Sequence, residues 1–188
     1  MAKRRKKIAK RTEYFHLSLS VEHFDAEVRA GINHYAREPQ YAWNLDDRDS
    51  VYEFGCSVAV SAKLICPNDR VGETYQLTFY SADAPSHNLS ATLQDLQTRD
   101  KNGIPQYREY RHKQVPVYAP PKGLAFVEKT RGELRWTAWI ATSGRFLNDM
   151  LAILRLDRRL FMTIHERKED RRSWIQSISL QTEDPTNE

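Results

Sequence analysis

Cysteine is nearly absent from this chain: two in 188 residues, too few for the disulfide framework of a small secreted domain. Cys56 and Cys66 fall on one predicted strand, on the order of 30 Å apart, so they cannot bridge each other there and make a poor zinc pair. Reduced thiols are expected, which suits a cytoplasmic protein, or a nuclear one in a eukaryote. No apolar run is long enough to span a bilayer. The basic N-terminal residues are not followed by the apolar segment of a secretory signal. No membrane partner is expected.

Recognisable catalytic signatures are missing too. There is no glycine-rich phosphate loop and no G-x-S-x-G elbow. His16, His23, His34, His87, His112 and His165 are scattered. His23 and His34 share a predicted helix but stand eleven apart, with no acid motif of the zinc-protease kind. No convergent set of nucleophile, base and metal ligand is legible, so a non-enzymatic protein without cofactor or metal is expected. One weak pattern runs the other way. Glu166-Arg167-Lys168, with Asp157 upstream, has the acid-x-lysine form of metal-dependent nucleases, which need a second acid to hold a divalent ion. Such triplets arise often by chance.

What the chain does have is an uneven charge. Lys3, Arg4, Arg5, Lys6, Lys7, Lys10 and Arg11 form a run with no acid among them. Without those seven, 22 Lys+Arg face 25 Asp+Glu, a body of net −3, so the basic pI of about 9.1 comes from the arm. The body is itself polarised. Residues 22–53 carry eight acids against Arg29, Arg37 and Arg48, whereas residues 129–172 carry eleven cations against six acids.

The core pattern is clearest over residues 133–180. Leu134, Trp136, Ala138 and Ile140 alternate with polar or outward positions, which predicts a strand. Leu147, Met150, Leu151 and Leu154 form a helical stripe. Leu160, Met162 and Ile164 return to period two, continued by Trp174, Ile178 and Leu180 after a polar turn at Glu169-Asp170. Earlier, Phe15, Leu17 and Leu19 predict a strand over residues 13–20. Ser20 can cap a helix with Val21, Phe24, Val28, Ile32 and Tyr35 as its stripe and Pro39 beyond its end. Alternation from Tyr52 to Cys66, a turn at Pro67-Asn68-Asp69 and a return through Tyr75, Leu77 and Phe79 predict a long hairpin. Leu89, Leu93 and Leu96 allow a short helix, and residues 107–118 an edge strand, since Pro116 cannot donate a central ladder bond. Residues 124–127 are expected to pair with residues 133–141 across Arg131-Gly132.

The expected fold is therefore α+β: mainly antiparallel sheet with two to three helices packed on it, and two similar strand-helix-hairpin halves as a possible arrangement. Residues 13–181 form one domain between a disordered basic arm at 1–12 and a polar tail at 182–188.

The expected function is a nucleic-acid-binding subunit of a nucleoprotein assembly. The arm can neutralise phosphates, or serve nuclear import in a eukaryote. An outer face of the C-terminal strands carrying Arg135, Trp139, Phe161, His165 and Arg167 interleaves aromatics with arginine, as a platform for unpaired bases does. Burial against the first half of the chain is the simpler reading of Trp139 and Phe161, because large aromatics are usually inside. At the last hairpin tip, Arg167, Lys168, Arg171 and Arg172 can clamp a nucleic-acid backbone. The alternative is a protein–protein adaptor in which the acidic first half and basic second half serve subunit docking.

Overall fold

The computed structural model describes residues 12–32, 51–81, 89, 91–119, 121–170 and 172–186. The basic arm, from Lys3 to Arg11, and Arg171 lie outside the described residues. So do Tyr35 and Pro39.

Nine strands are described: β1 (Thr12–Ile32), β2 (Tyr52–Cys66), β3 (Thr74–Ser81), β4 (Tyr107–Tyr110), β5 (Lys113–Pro116), β6 (Ala125–Lys129), β7 (Arg135–Thr142), β8 (Phe161–Glu169) and β9 (Arg172–Gln181). Seven of them close into a barrel in the order β1-β2-β3-β7-β6-β9-β8, with only β3–β7 parallel. Among the described residues there is one α-helix, α1 (Gly144–Leu154). The α+β expectation is thus corrected to a β-barrel, and the two-halves arrangement falls with it, because among the described residues the stretch expected to be the first half's helix is strand and only the second half contains an α-helix.

Closure depends on β1. Its first part, Thr12 to Ser20, pairs with β8, and its later part, Ser18 to Ile32, pairs with β2. One strand therefore joins both ends of the sheet and leaves no edge along the barrel. The predicted helix after Ser20 is the rest of this strand, and a bulge explains the misreading. Leu17, Leu19 and Val21 face inward, but the register shifts between Val21 and His23. One extra residue reverses the parity, so Phe24, Ala26, Val28, Ala30 and Ile32 now share the inward-facing side. Val21, Phe24, Val28 and Ile32 are then three, four and four apart, which imitates a helical stripe. A second shift, between His165 and Glu166, acts likewise on β9. Ile175 and Ser173 are buried there, while Trp174 is only half-buried, the reverse of simple alternation.

Leu17, Leu19, Val60, Ala62, Leu64, Leu77, Phe79, Ile140, Met162, Ile164 and Ile175 fill the barrel interior. Helix α1 starts where Ser143 accepts a hydrogen bond from the Phe146 backbone N–H at 3.2 Å. It contacts the paired strands β2 and β3 and also β9, which lies three strands away from either around the barrel. It must therefore lie across the barrel end where β7 stops, adding Leu147, Met150 and Leu154 to the core.

The β2–β3 and β6–β7 hairpins form as expected, although Leu134 is exposed and only Ala138 and Ile140 of its row are fully buried. Residues 107–118 form not one edge strand but a separate hairpin of β4 and β5. The short leucine helix reduces to a 3-10 turn at Gln94–Leu96.

Candidate functional site

The barrel end opposite α1 is plugged by a polar cluster built from four strands and a turn. Arg70, in the 3-10 turn after β2, donates from Nε to Glu73 at 3.0 Å, from Nη2 to the Tyr75 hydroxyl at 2.7 Å and from Nη1 to Glu166 at 3.3 Å. Tyr75 donates onward to Glu166 at 3.3 Å, and the Trp136 indole N–H donates to Glu73 at 2.8 Å. The guanidinium lies between the rings of Phe15 and Trp136, 5.6 and 5.4 Å from their centroids. Burial opposes the Arg70 charge, but the Tyr75, Glu166 and Glu73 oxygens outweigh it and hold its pKa above the ordinary value. Burial first, and then the nearby Glu166 charge, push the Tyr75 hydroxyl well above its ordinary 10.0.

That shift fixes a sign. A group that stays protonated in the folded state contributes stability that is fully present below its unfolded pKa and is lost as pH rises past it. Above about pH 10, Tyr75 should cost the fold about 1.4 kcal/mol per pH unit. Urea titrations between about pH 9 and 11 should show this slope in the native chain and its absence in Tyr75→Phe. Equal slopes in both would refute the assignment.

The cluster also accounts for the acid of the nuclease-like triplet. Glu166 is 2% exposed and engaged by Arg70 and Tyr75, while the Lys168 ammonium lies 6.0 Å from the Phe15 ring centroid. Asp157 sits on the exposed turn after α1. Among the described residues, no three His, Cys, Asp or Glu side chains are placed to hold a metal ion.

The outer wall is where ligand chemistry is on offer. Glu27 and Arg29 of β1, Gly55 and Ser57 of β2, Thr78 and Tyr80 of β3, and Trp139 of β7 line a groove of about 530 Å³. The pairing registers put Asp25, Ala59, Thr78 and Trp139 on one row and Glu27, Ser57 and Tyr80 on the next. Trp139 is 69% exposed, edge-on to Tyr80 at 6.5 Å. Gly55 lets Arg29 lie flat across β2, since a Cβ there would meet the Arg29 Nε at 2.9 Å.

The five residues expected on one platform are separated. Arg135, Thr137 and Trp139 do share the outer face of β7, with Arg135 paired to Glu133 at 3.3 Å. His165 and Arg167 lie on β8, three strands away around the barrel by way of β6 and β9. Phe161 is buried beneath Arg159, so it cannot stack on a base. The reason is closure: side chains that share one face of a flat sheet point in different directions once the sheet curls round. His165 packs against His16 directly across the β1–β8 pair, ring centroids 4.5 Å apart and planes tilted by 51°. At the last hairpin tip, Glu169 is ion-paired with Lys122 and Arg167, and the Lys122 hydrogen bond holds its carboxyl below the usual range. Arg172 is exposed.

The sequence reading also passed over a surface. The β4–β5 hairpin exposes Tyr107, Arg108, Tyr110, Arg111, His112 and Lys113, with Arg111 5.3 Å over the Tyr110 ring. Its signal was present as aromatic and basic residues interleaved within seven positions, obscured by Pro116 and the edge-strand reading. No family model, curated protein or solved structure matches the chain, so the functional assignment rests on this surface chemistry.

Proposed function

We propose that this chain is a non-enzymatic nucleic-acid-binding subunit that stacks an unpaired base in the outer-wall groove, with its basic arm contacting phosphates. The observation that carries the reading is Trp139. A tryptophan in the middle of a barrel strand has core available on its other face, yet this one stands 69% exposed. Its neighbours are an aromatic ring and an arginine that can reach a phosphate or stack on a second base. The β4–β5 hairpin adds cations and two tyrosines suited to tracking a strand.

Base–aromatic stacking contributes about 1–3 kcal/mol per base. Trp139→Ala should therefore weaken binding of a single-stranded DNA or RNA oligonucleotide roughly 5- to 150-fold, with the far-UV circular dichroism spectrum unchanged. Fluorescence anisotropy with labelled oligonucleotides at low salt measures it. If the variant binds as tightly as the parent, the groove is not the site. If the parent binds no oligonucleotide at all, the nucleic-acid reading fails, and an adaptor role takes its place.

A further inference from the structure

The groove occupies one face of a structure that also has a back. β1 loses its β8 neighbour after Ser20, and β2 lacks a β3 neighbour before Ser57. Between those limits and Ile32↔Tyr52, the two strands pair with each other and run past the barrel as a two-stranded ribbon. Its odd-numbered positions, Asp25, Glu27, Arg29 and Ser57, continue the barrel's outer wall. Its even-numbered positions continue the barrel's interior, and none is charged: Ala26, Val28, Ala30 and Ile32 on β1, Phe54 and Cys56 on β2, and Tyr52, whose ring carries the face's one hydroxyl. On the barrel this row is core, with Val58 and Val60 fully buried. Beyond it, Val28 is 80% and Phe54 70% exposed.

We propose that this ribbon is a self-association arm, and that its apolar face packs on the same face of a second copy of the chain. Three features favour a second copy. An isolated two-stranded ribbon is marginal in water and needs a second layer against its apolar face. A matching ribbon about 10 Å away supplies one, as in a β-sandwich. The relief of the face is also self-complementary. Val28 lies opposite small Cys56, and small Ala30 opposite Phe54, so large and small alternate between the strands over these two pairs, before the ribbon ends on Ile32 opposite Tyr52. A two-fold axis then sets the large side chains of one copy over the small ones of the other. Finally, no residue of the face is charged, so two bodies of like net charge can approach there without placing like charges together.

The area sets the strength. Val28, Ile32, Tyr52 and Phe54 offer roughly 500 Å² per copy, so a pair buries about 1,000 Å², the lower bound for a specific interface. A reversible dimer in the micromolar range is the expected form, with the groove faces of both ribbons outward and available to ligand.

Sedimentation velocity of the full chain from about 1 to 300 μM tests this. The expected result is a concentration-dependent monomer–dimer equilibrium. Phe54→Asp and Val28→Asp should each weaken it at least about a hundredfold, because a charge would be buried without a partner. The milder Phe54→Ser and Val28→Ser should weaken it about tenfold. Gln76→Asp, on the barrel's outer wall, should leave it unchanged. These ribbon positions lie outside the packed interior, so native circular dichroism is expected throughout. A chain that stays monomeric across the whole range overturns the proposal, as does a dimer that survives all four ribbon variants. Binding of the monomer to neutral phosphatidylcholine vesicles, lost in Phe54→Asp, would overturn it in favour of a lipid surface.

Discussion

Arg70→Ala should cost the fold about 3–5 kcal/mol, the loss typical of breaking a buried ion pair by removing one partner. The guanidinium is the only cation bonded to both Glu73 and Glu166 among the described residues. Its removal strands a carboxylate that is 2% exposed inside a barrel end. It also leaves the Phe15 and Trp136 rings without the group packed between them. Against a total stability of about 5–15 kcal/mol for an ordinary domain, that loss shows in a urea midpoint. The origin of the cost can be separated from packing. Arg70→Met restores bulk but not charge and should remain nearly as damaging. Arg70→Met combined with Glu166→Gln removes the stranded charge and should recover about half of the loss or more. A single variant that loses less than about 1 kcal/mol would mean that water reaches the cluster and that it does not plug the barrel.

Removal of residues 1–11 should produce the largest change in binding. It takes away seven cations and leaves a body of net −3. Affinity for any polyanion should fall sharply while the urea midpoint stays fixed, since nothing in that run belongs to the core pattern. If every cation meets a phosphate, the slope of log affinity against log salt flattens by up to about 6 on duplex DNA and about 5 on single strands. Binding that survives belongs to the body, and there Trp139→Ala should abolish the preference for single-stranded over duplex DNA. A truncated chain that binds like the full one places the whole site in the barrel. Equal losses for both partners on Trp139→Ala would remove the stacking role.

Much of the local structure was legible from single residues. The alternation of Val58, Val60, Ala62 and Leu64 is pure period two and marks a strand wherever it lies. Leu147, Met150 and Leu154 fit only a helix. The failures occur where one residue breaks the period. At Glu22 the bulge converts two strand segments of opposite parity into an apparent helical stripe, and small Ala26 and Ala30, which belong to the true pattern, carry little weight in a search for large apolar residues. At Gln176 a second bulge exchanges Ile175 and Trp174 between inside and outside.

The candidate site was half legible for a similar reason. Trp139 and Arg135 could be assigned to one face of β7 by parity alone, and the structure keeps them there. Arg29, Gly55, Ser57, Thr78 and Tyr80, which complete the groove, come from three other strands, and their registers cannot be read from composition. Phe161 has the outward parity of its neighbours His165 and Arg167, yet it is buried.

The sequence by itself determined the strand-forming segments where the alternation is unbroken, the inward side chains within each such run, the amphipathic helix after Ser143 and the separation of charge between arm and body. These depend on contacts a few residues apart. Closure of the barrel was decided by tertiary structure, because one strand must bend to pair with both β2 and β8. Closure in turn set which parallel faces meet and which diverge, scattering the expected platform, burying Glu166 beside Arg70 and leaving one end of the β1–β2 pair beyond the barrel with its core face open.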